Sequence, residues 1–229
     1  TMHEGHRDRV KKRFRQEGLD HFSDIQALEL LLFYGIPRVD TNPIAHALLD
    51  RFGSLSQVLE ASPEELMKVP GVGENAALLL TLIPQMGRFY MVDRSSRVTI
   101  LQTLEQCADF LVPHFFGRKV ETVFILCLDA KCKLLCCKEL GEGGPNSTGV
   151  SIRKIVETAI GVNAATVVLA HNHPSGLAVP SAEDIQTTRR IAHALQAVEI
   201  TLADHIIVAD GDYVSIAMSD DRFRDCLLI

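Results

Sequence analysis

Apolar positions along the first ninety residues recur at helical intervals. The run Ala27 to Leu32 and the series Ile44, Leu48, Leu49, Phe52, Leu55, Val58 and Leu59 follow a period near 3.6 rather than an alternation. Asn42-Pro43 opens one of these helices, and Gly53 interrupts it. Ser62 followed by Pro63, Glu64 and Glu65 reads as an N-cap with proline in the first turn. The polar stretch Val92 to Val98 has no strong period and marks a linker. Beyond it the pattern changes. Thr122 to Leu128 is a continuous apolar run, Lys131 to Glu139 alternates, and Thr166 to Ala170 and Ile206 to Ala209 are short β-rich runs. Helical stretches fall between them, over about Leu101 to Phe110, Ile152 to Val162 and Ala182 to Val198. This order predicts an all-helical domain over 1–92 and an α/β domain with a mixed sheet over 101–229.

With 229 residues, 47% of them hydrophobic, the chain has enough material for two modest cores. No apolar run approaches the ~20 residues that span a bilayer, and the polar, basic start is unlike a signal peptide, so a cytoplasmic protein without a membrane partner is expected. A net charge of −6 argues against a strong phosphate-backbone binder, apart from the local cluster Arg7, Arg9, Lys11, Lys12, Arg13 and Arg15, which reads as a solvated helix face or as a nucleic-acid contact. Cys127, Cys132, Cys136 and Cys137 crowd together, but without a second pair or Gly-rich knuckles they read as ordinary strand thiols in a reducing compartment. His3, His6 and His21 are dispersed and read as solvated.

The chemistry concentrates in His171-Asn172-His173-Pro174-Ser175-Gly176, directly after an apolar strand. Residues two apart in an extended chain face one side, so His171 and His173 can offer two imidazole nitrogens to one cation. A catalytic zinc commonly takes a carboxylate as third ligand and keeps one position for water. Asp184 fits that place: Gly176, Pro180 and Ser181 reverse the chain, and a helix beginning at Ser181 aims its first turn back at the strand end. Ser181 and Asp184 also form a capping box by themselves. Asp204 and His205 alternate on a strand, so at most one of them faces the metal position. Arg189 and Arg190 read as an exposed helix face.

The spacing His171-x-His173, then Ser181-x-x-Asp184, resembles the JAMM (MPN-plus) metalloprotease signature, and His171 to Gly176 with Pro180-Ser181-x-x-Asp184 resembles its RadC-type (UPF0758) branch. The stretch Leu30 to Pro43 and the strand Asp204 to Val208 fit as well, so the resemblance covers nearly the whole chain. It implies a cytidine-deaminase-like α/β fold behind a helix-hairpin-helix domain, zinc as cofactor, and a metal-activated water attacking a peptide or isopeptide amide of a protein or peptide substrate. It also implies a glutamate near the start of the first core strand as general acid and base; Glu121 occupies that place, with Glu139 and Glu142 beside a Gly-rich turn as rivals. Ser181 would donate to the developing oxyanion, provided its hydroxyl is not used as a helix cap.

The segment Val69-Pro70-Gly71-Val72-Gly73 resembles the hairpin of helix-hairpin-helix domains, where glycines such as Gly71 and Gly73 let backbone N–H groups approach a DNA phosphate. Glu74 follows instead of a basic residue, so a purely structural hairpin stands beside the phosphate reading. Two other functions compete with hydrolysis: a DNA-associated binding protein whose metal domain is a scaffold, and nucleobase deamination. The latter wants H-x-E with a distal P-C-x-x-C, and this chain has neither.

Overall fold

The computed structural model describes residues 2–95, 100–145 and 150–219, with side chains from residue 5. The side chain of His3 and residues 96–99 of the expected linker lie outside the described residues. Contacts divide the chain into two units, Thr1–Gly87 and Arg88–Ile229.

In the first unit the helical periods become helices α1 (Met2–Glu17), α2 (Asp24–Gly35), α3 (Asn42–Phe52), α4 (Leu55–Glu60) and α5 (Pro63–Leu66), followed by α6 (Glu74–Ser95), which runs on into the second unit. Ser23, Ser54 and Ser62 accept from the backbone N–H three residues on, as N-caps do. Gly53, with positive φ, ends α3 where the sequence pattern broke. Leu28, Leu32, Leu48, Leu66 and Leu80 form the buried centre of this unit. The basic stretch in α1 is partly consumed by folding. Arg7 donates to the carbonyls of Phe33, Ile36 and Val39 at the end of α2, and Arg13 donates to Gln26 and the His21 carbonyl. His6 is not simply solvated: its Nε2 lies 3.0 Å from the carboxylate of Glu29, which is buried.

The second unit is a five-stranded mixed sheet with helices on both faces. Its elements are α7 (Leu104–Leu111), a short 3-10 turn at Val112–Phe115, β1 (Thr122–Leu128), β2 (Leu134–Glu142), α8 (Ile152–Gly161), β3 (Thr166–Asn172), α9 (Ala182–Gln196), β4 (Thr201–Ala209), β5 (Asp212–Ser215) and α10 (Ile216–Ser219). The strand order is β2-β1-β3-β4-β5; among the described residues only β3 and β4 run parallel. The continuous apolar run of β1 is explained by burial on both faces. Val123, Ile125 and Cys127 pack with Ile155 of α8 and Ile191 and Leu195 of α9, while Phe124, Leu126 and Leu128 pack with Ala108, Phe110 and Leu111 of α7. β1 and β3 are antiparallel with Val123 opposite His171, so the start of β1 meets the end of β3. That pairing places the residue before β1 beside the histidines.

Candidate metal centre

His171 is the last residue but one of β3 and is fully buried; His173 follows directly after the strand, held by its N–H to the Val208 carbonyl at 2.8 Å. Alternation brings both rings to one side, with centroids 4.8 Å apart and the two Nε2 atoms 3.0 Å apart. Asp184, in the first turn of α9, sets Oδ1 3.3 Å from His171 Nε2 and Oδ2 3.5 Å from His173 Nε2. Glu121, just before β1, lies 3.7 Å from His171 Nε2 with its side chain 33% exposed. Glu121, His171 and His173 form a group whose ligand atoms all lie within 4.8 Å of one another, so they can hold a metal ion. The two Nε2 atoms lie 3.0 Å apart, and each has one of the two Asp184 oxygens at 3.3 or 3.5 Å, separations close to the ~3.3 Å between neighbouring ligands of a metal with arms of ~2.0–2.1 Å. The donor set, two imidazoles with a carboxylate, also suits zinc chemically. His173 Nδ1 donates to the Leu177 carbonyl at 3.1 Å, because a carbonyl only accepts; the neutral ring is left with a bare Nε2 facing the cluster.

The sequence made the oxyanion role of Ser181 conditional on a free hydroxyl, and the structure does not leave it free. Ser181 Oγ accepts from the Asp184 N–H at 3.0 Å and donates to Asp184 Oδ2 at 2.6 Å, while the Ser181 N–H reaches the same oxygen at 2.8 Å. Burial pushes the Asp184 carboxyl up, but the neighbouring His171 ring and hydrogen bonds from the Ser181 side chain and backbone outweigh it and hold the group well below the usual carboxylate range. Ser181 thus orients the carboxylate and keeps it ionised.

Glu121 is braced from two sides. Asn172, between the two histidines, points to the opposite face of β3; its Oδ1 accepts from Thr122 N–H at 2.8 Å and its Nδ2 donates to the Val120 carbonyl at 3.3 Å. The Glu121 carbonyl accepts from Gly143 N–H. A Cβ added at Gly144 would lie 2.7 Å from Glu121 Oε1, so the bare glycine is what lets the carboxylate lie there. Of the rivals, Glu139 pairs with Arg118 at 2.8 Å, while Glu142 sits opposite Thr122 at the end of β2. A cavity of about 380 Å³ opens over the cluster, lined by Glu121, Gly144, Pro145, His173, Ser181, Glu183, Asp184 and Thr187.

Sequence reasoning did not single out Asn172 or Thr188, named Gly144 only within a Gly-rich turn that could border the site, and left His205 open. Only His205 of the 204–205 pair faces the cluster, with Nε2 2.8 Å from His171 Nδ1. Asp204 turns away to accept from the Ala217 N–H at 3.0 Å. The cysteines stay apart from this chemistry: Cys127, Cys132, Cys136 and Cys137 are free, and burial pushes the Cys137 thiol up to about 12. Arg190 is exposed and Arg189 half-buried. Gly71 and Gly73 lie in the first unit, before α6. Gly71 has positive φ, and a Cβ there would lie 2.8 Å from Ile44 Cδ1, whereas Gly73 has open space around it.

Comparison with known proteins matches residues 101–221 to a family model described as a RadC-like JAB domain, and residues 3–78 to one described as UPF0758 N-terminal. A UPF0758 protein of Fusobacterium nucleatum is 33% identical over 219 residues, covering 93% of this chain and 94% of that protein. A UPF0758 protein of Paraburkholderia xenovorans is 33% identical over 210 residues, covering 92% of this chain and 83% of that protein. No helix among the described residues is long and apolar enough to cross a membrane.

Proposed function

The chain belongs to the RadC-like JAB-domain family, and on that premise we propose that it is a zinc-dependent hydrolase that cleaves a peptide or isopeptide amide. The JAB domain and the Glu121, His171 and His173 group support a JAMM-type metal hydrolase at the family level. The observation that carries the finer reading is the convergence of two imidazole nitrogens and the Asp184 carboxylate, 3.0 to 3.5 Å apart, under a cavity that Glu121 also borders.

In this reading His171, His173 and Asp184 hold the metal, and Asp184 is preferred to Glu121 as third ligand because it approaches both nitrogens and is buried. Zinc bound there would acidify a water and polarise the scissile carbonyl. Glu121, partly open to the cavity, is placed to accept a proton from the attacking water and return it to the leaving amine. Ser181 keeps Asp184 aimed and charged rather than serving the oxyanion directly.

Two tests follow. Elemental analysis of the purified full chain should find about one zinc per chain, largely lost in His173→Ala and Asp184→Ala; a parent that stays metal-free when zinc is supplied overturns the reading. Gly144→Ala should lower kcat/KM by about 100-fold through displacement of Glu121 with little change in thermal midpoint, since the crowded atom is the far end of a flexible side chain. Parent-like turnover in that variant would show that Glu121 does not act from this position.

For the helical unit, a DNA contact at the hairpin remains a separate proposal. The packing of Gly71 on Ile44, the acid Glu74 in the first turn of α6, and the use of Arg7 and Arg13 within the unit favour a structural hairpin.

A further inference from the structure

We infer that His205 and Thr188 are positioning residues that fix the tautomer of His171, so that a bare Nε2 faces the metal position. The inference rests on reading His171 as a ligand. It begins at the main chain. Thr188 Oγ1 lies 2.7 Å from the Asp184 carbonyl, which only accepts, so the single hydroxyl proton is committed there. Toward His205 Nδ1, 2.6 Å away, the same oxygen must therefore accept, and Nδ1 carries the proton. His205 has no exposed surface, and an imidazole without solvent is favoured as the neutral ring with one proton. Its Nε2 is then a lone pair, 2.8 Å from His171 Nδ1, and must receive a proton from it. His171 Nε2 is left bare.

The consequence for the cluster is specific. His173 is set to the same state by the Leu177 carbonyl, so two bare nitrogens stand 3.0 Å apart, each beside an Asp184 oxygen. These are acceptors facing acceptors, an arrangement that a cation holds together and that neutral hydrogen bonding does not. Reversing the relay would put a proton on His171 Nε2, inside the cluster, where it would compete with the metal. The relay also closes on itself: Asp184 offers its carboxylate to the cluster and its carbonyl to Thr188, one helical turn further along α9. His171 on β3, His205 on β4 and Asp184 on α9 are thereby held in one frame. Partners of ligating histidines are commonly carboxylates or carbonyls; here a neutral imidazole serves, with a hydroxyl behind it.

The test uses the full chain with His205→Phe, Thr188→Val and Thr188→Ser. Zinc dissociation constants are measured by competition with a chromophoric chelator, the His171 tautomer of the metal-free protein by ¹⁵N chemical shifts, and folding by thermal midpoint. Weakening of zinc by about 10–100-fold is expected in the Phe and Val variants, with parent-like affinity in Thr188→Ser, which keeps the hydroxyl. Metal-free parent should show the Nδ1–H form of His171, and Thr188→Val a mixture. If His205→Phe does not fold, Thr188→Val against Thr188→Ser still decides. Folded variants that bind zinc as tightly as the parent, or an Nε2–H form of His171 in the parent, overturn the relay. A parent that shows the Nδ1–H form yet takes up no zinc overturns the metal reading and supports the relay.

Discussion

Glu121→Gln is expected to lower turnover of an amide substrate by about 10²–10⁴-fold while zinc content and thermal midpoint stay at parental values. The amide keeps the volume and the hydrogen-bonding reach of the side chain but cannot take up a proton. Metal retention follows because Asp184 lies nearer than Glu121 to the imidazole nitrogens, at 3.3 and 3.5 Å against 3.7 Å. The measurement is initial rates on a panel of fluorogenic peptide and isopeptide amides, beside elemental analysis of the same samples. Loss of zinc in the Gln variant would make Glu121 a ligand instead. Unchanged rates with zinc retained would move the proton transfer to another carboxylate, with Glu142, at the same end of the sheet, as the first to test.

Leu169→Ala should produce the largest loss of stability, about 2–5 kcal/mol, a large part of the ~5–15 kcal/mol that holds a domain folded. Leu169 is fully buried in the centre of β3, opposite Ile125 of β1 and His205 of β4, and packs in the layer shared with α8 and α9. Truncating it leaves a cavity under the strand that carries His171. Urea unfolding followed by circular dichroism reads the effect; a midpoint within error of the parent would mean that the layer collapses to fill the space.

The parts of the fold legible in the sequence were those where burial is uniform. Thr122 to Leu128 was bounded correctly because both faces of β1 are covered, and the starts of α3 and α5 were written in Asn42-Pro43 and Ser62-Pro63, the latter with a serine cap. The misses fall where polar residues are buried for chemical reasons. β3 continues through His171 and Asn172, and β4 begins at Thr201, ahead of both the apolar run from Ile206 and the strand read from Asp204, because Asp204 and His205 interrupt the apolar pattern while remaining inside. β2 lies three residues later than its alternation suggested, with bulges against β1 that spoil the period, and β5 is too short to show a pattern. The expected linker begins at Val92, yet α6 continues to Ser95.

The site divides in the same way. His171, His173, Ser181 and Asp184 were visible as types at a spacing, Glu121 came only from the resemblance, and the structure brings all five together. Asn172, Gly144, Thr188 and His205 act through partners distant in sequence. Thr122 lies fifty residues from Asn172 and His205 lies thirty-four from His171, so only the pairing of β1, β3 and β4 reveals what they do.

If the proposed centre takes up a metal, the alternation at the end of β3 makes that uptake a check on folding. His171 and His173 serve the ligand side while Asn172, between them, holds the chain on both sides of Glu121. A one-residue slip of this strand would exchange the two faces, sending both imidazoles away and presenting an amide in their place. A slipped chain therefore has no centre to fill, and a cation that binds only the correct pairing draws the population toward it by mass action. The ion then acts as a proofreader of strand pairing before it takes part in any reaction.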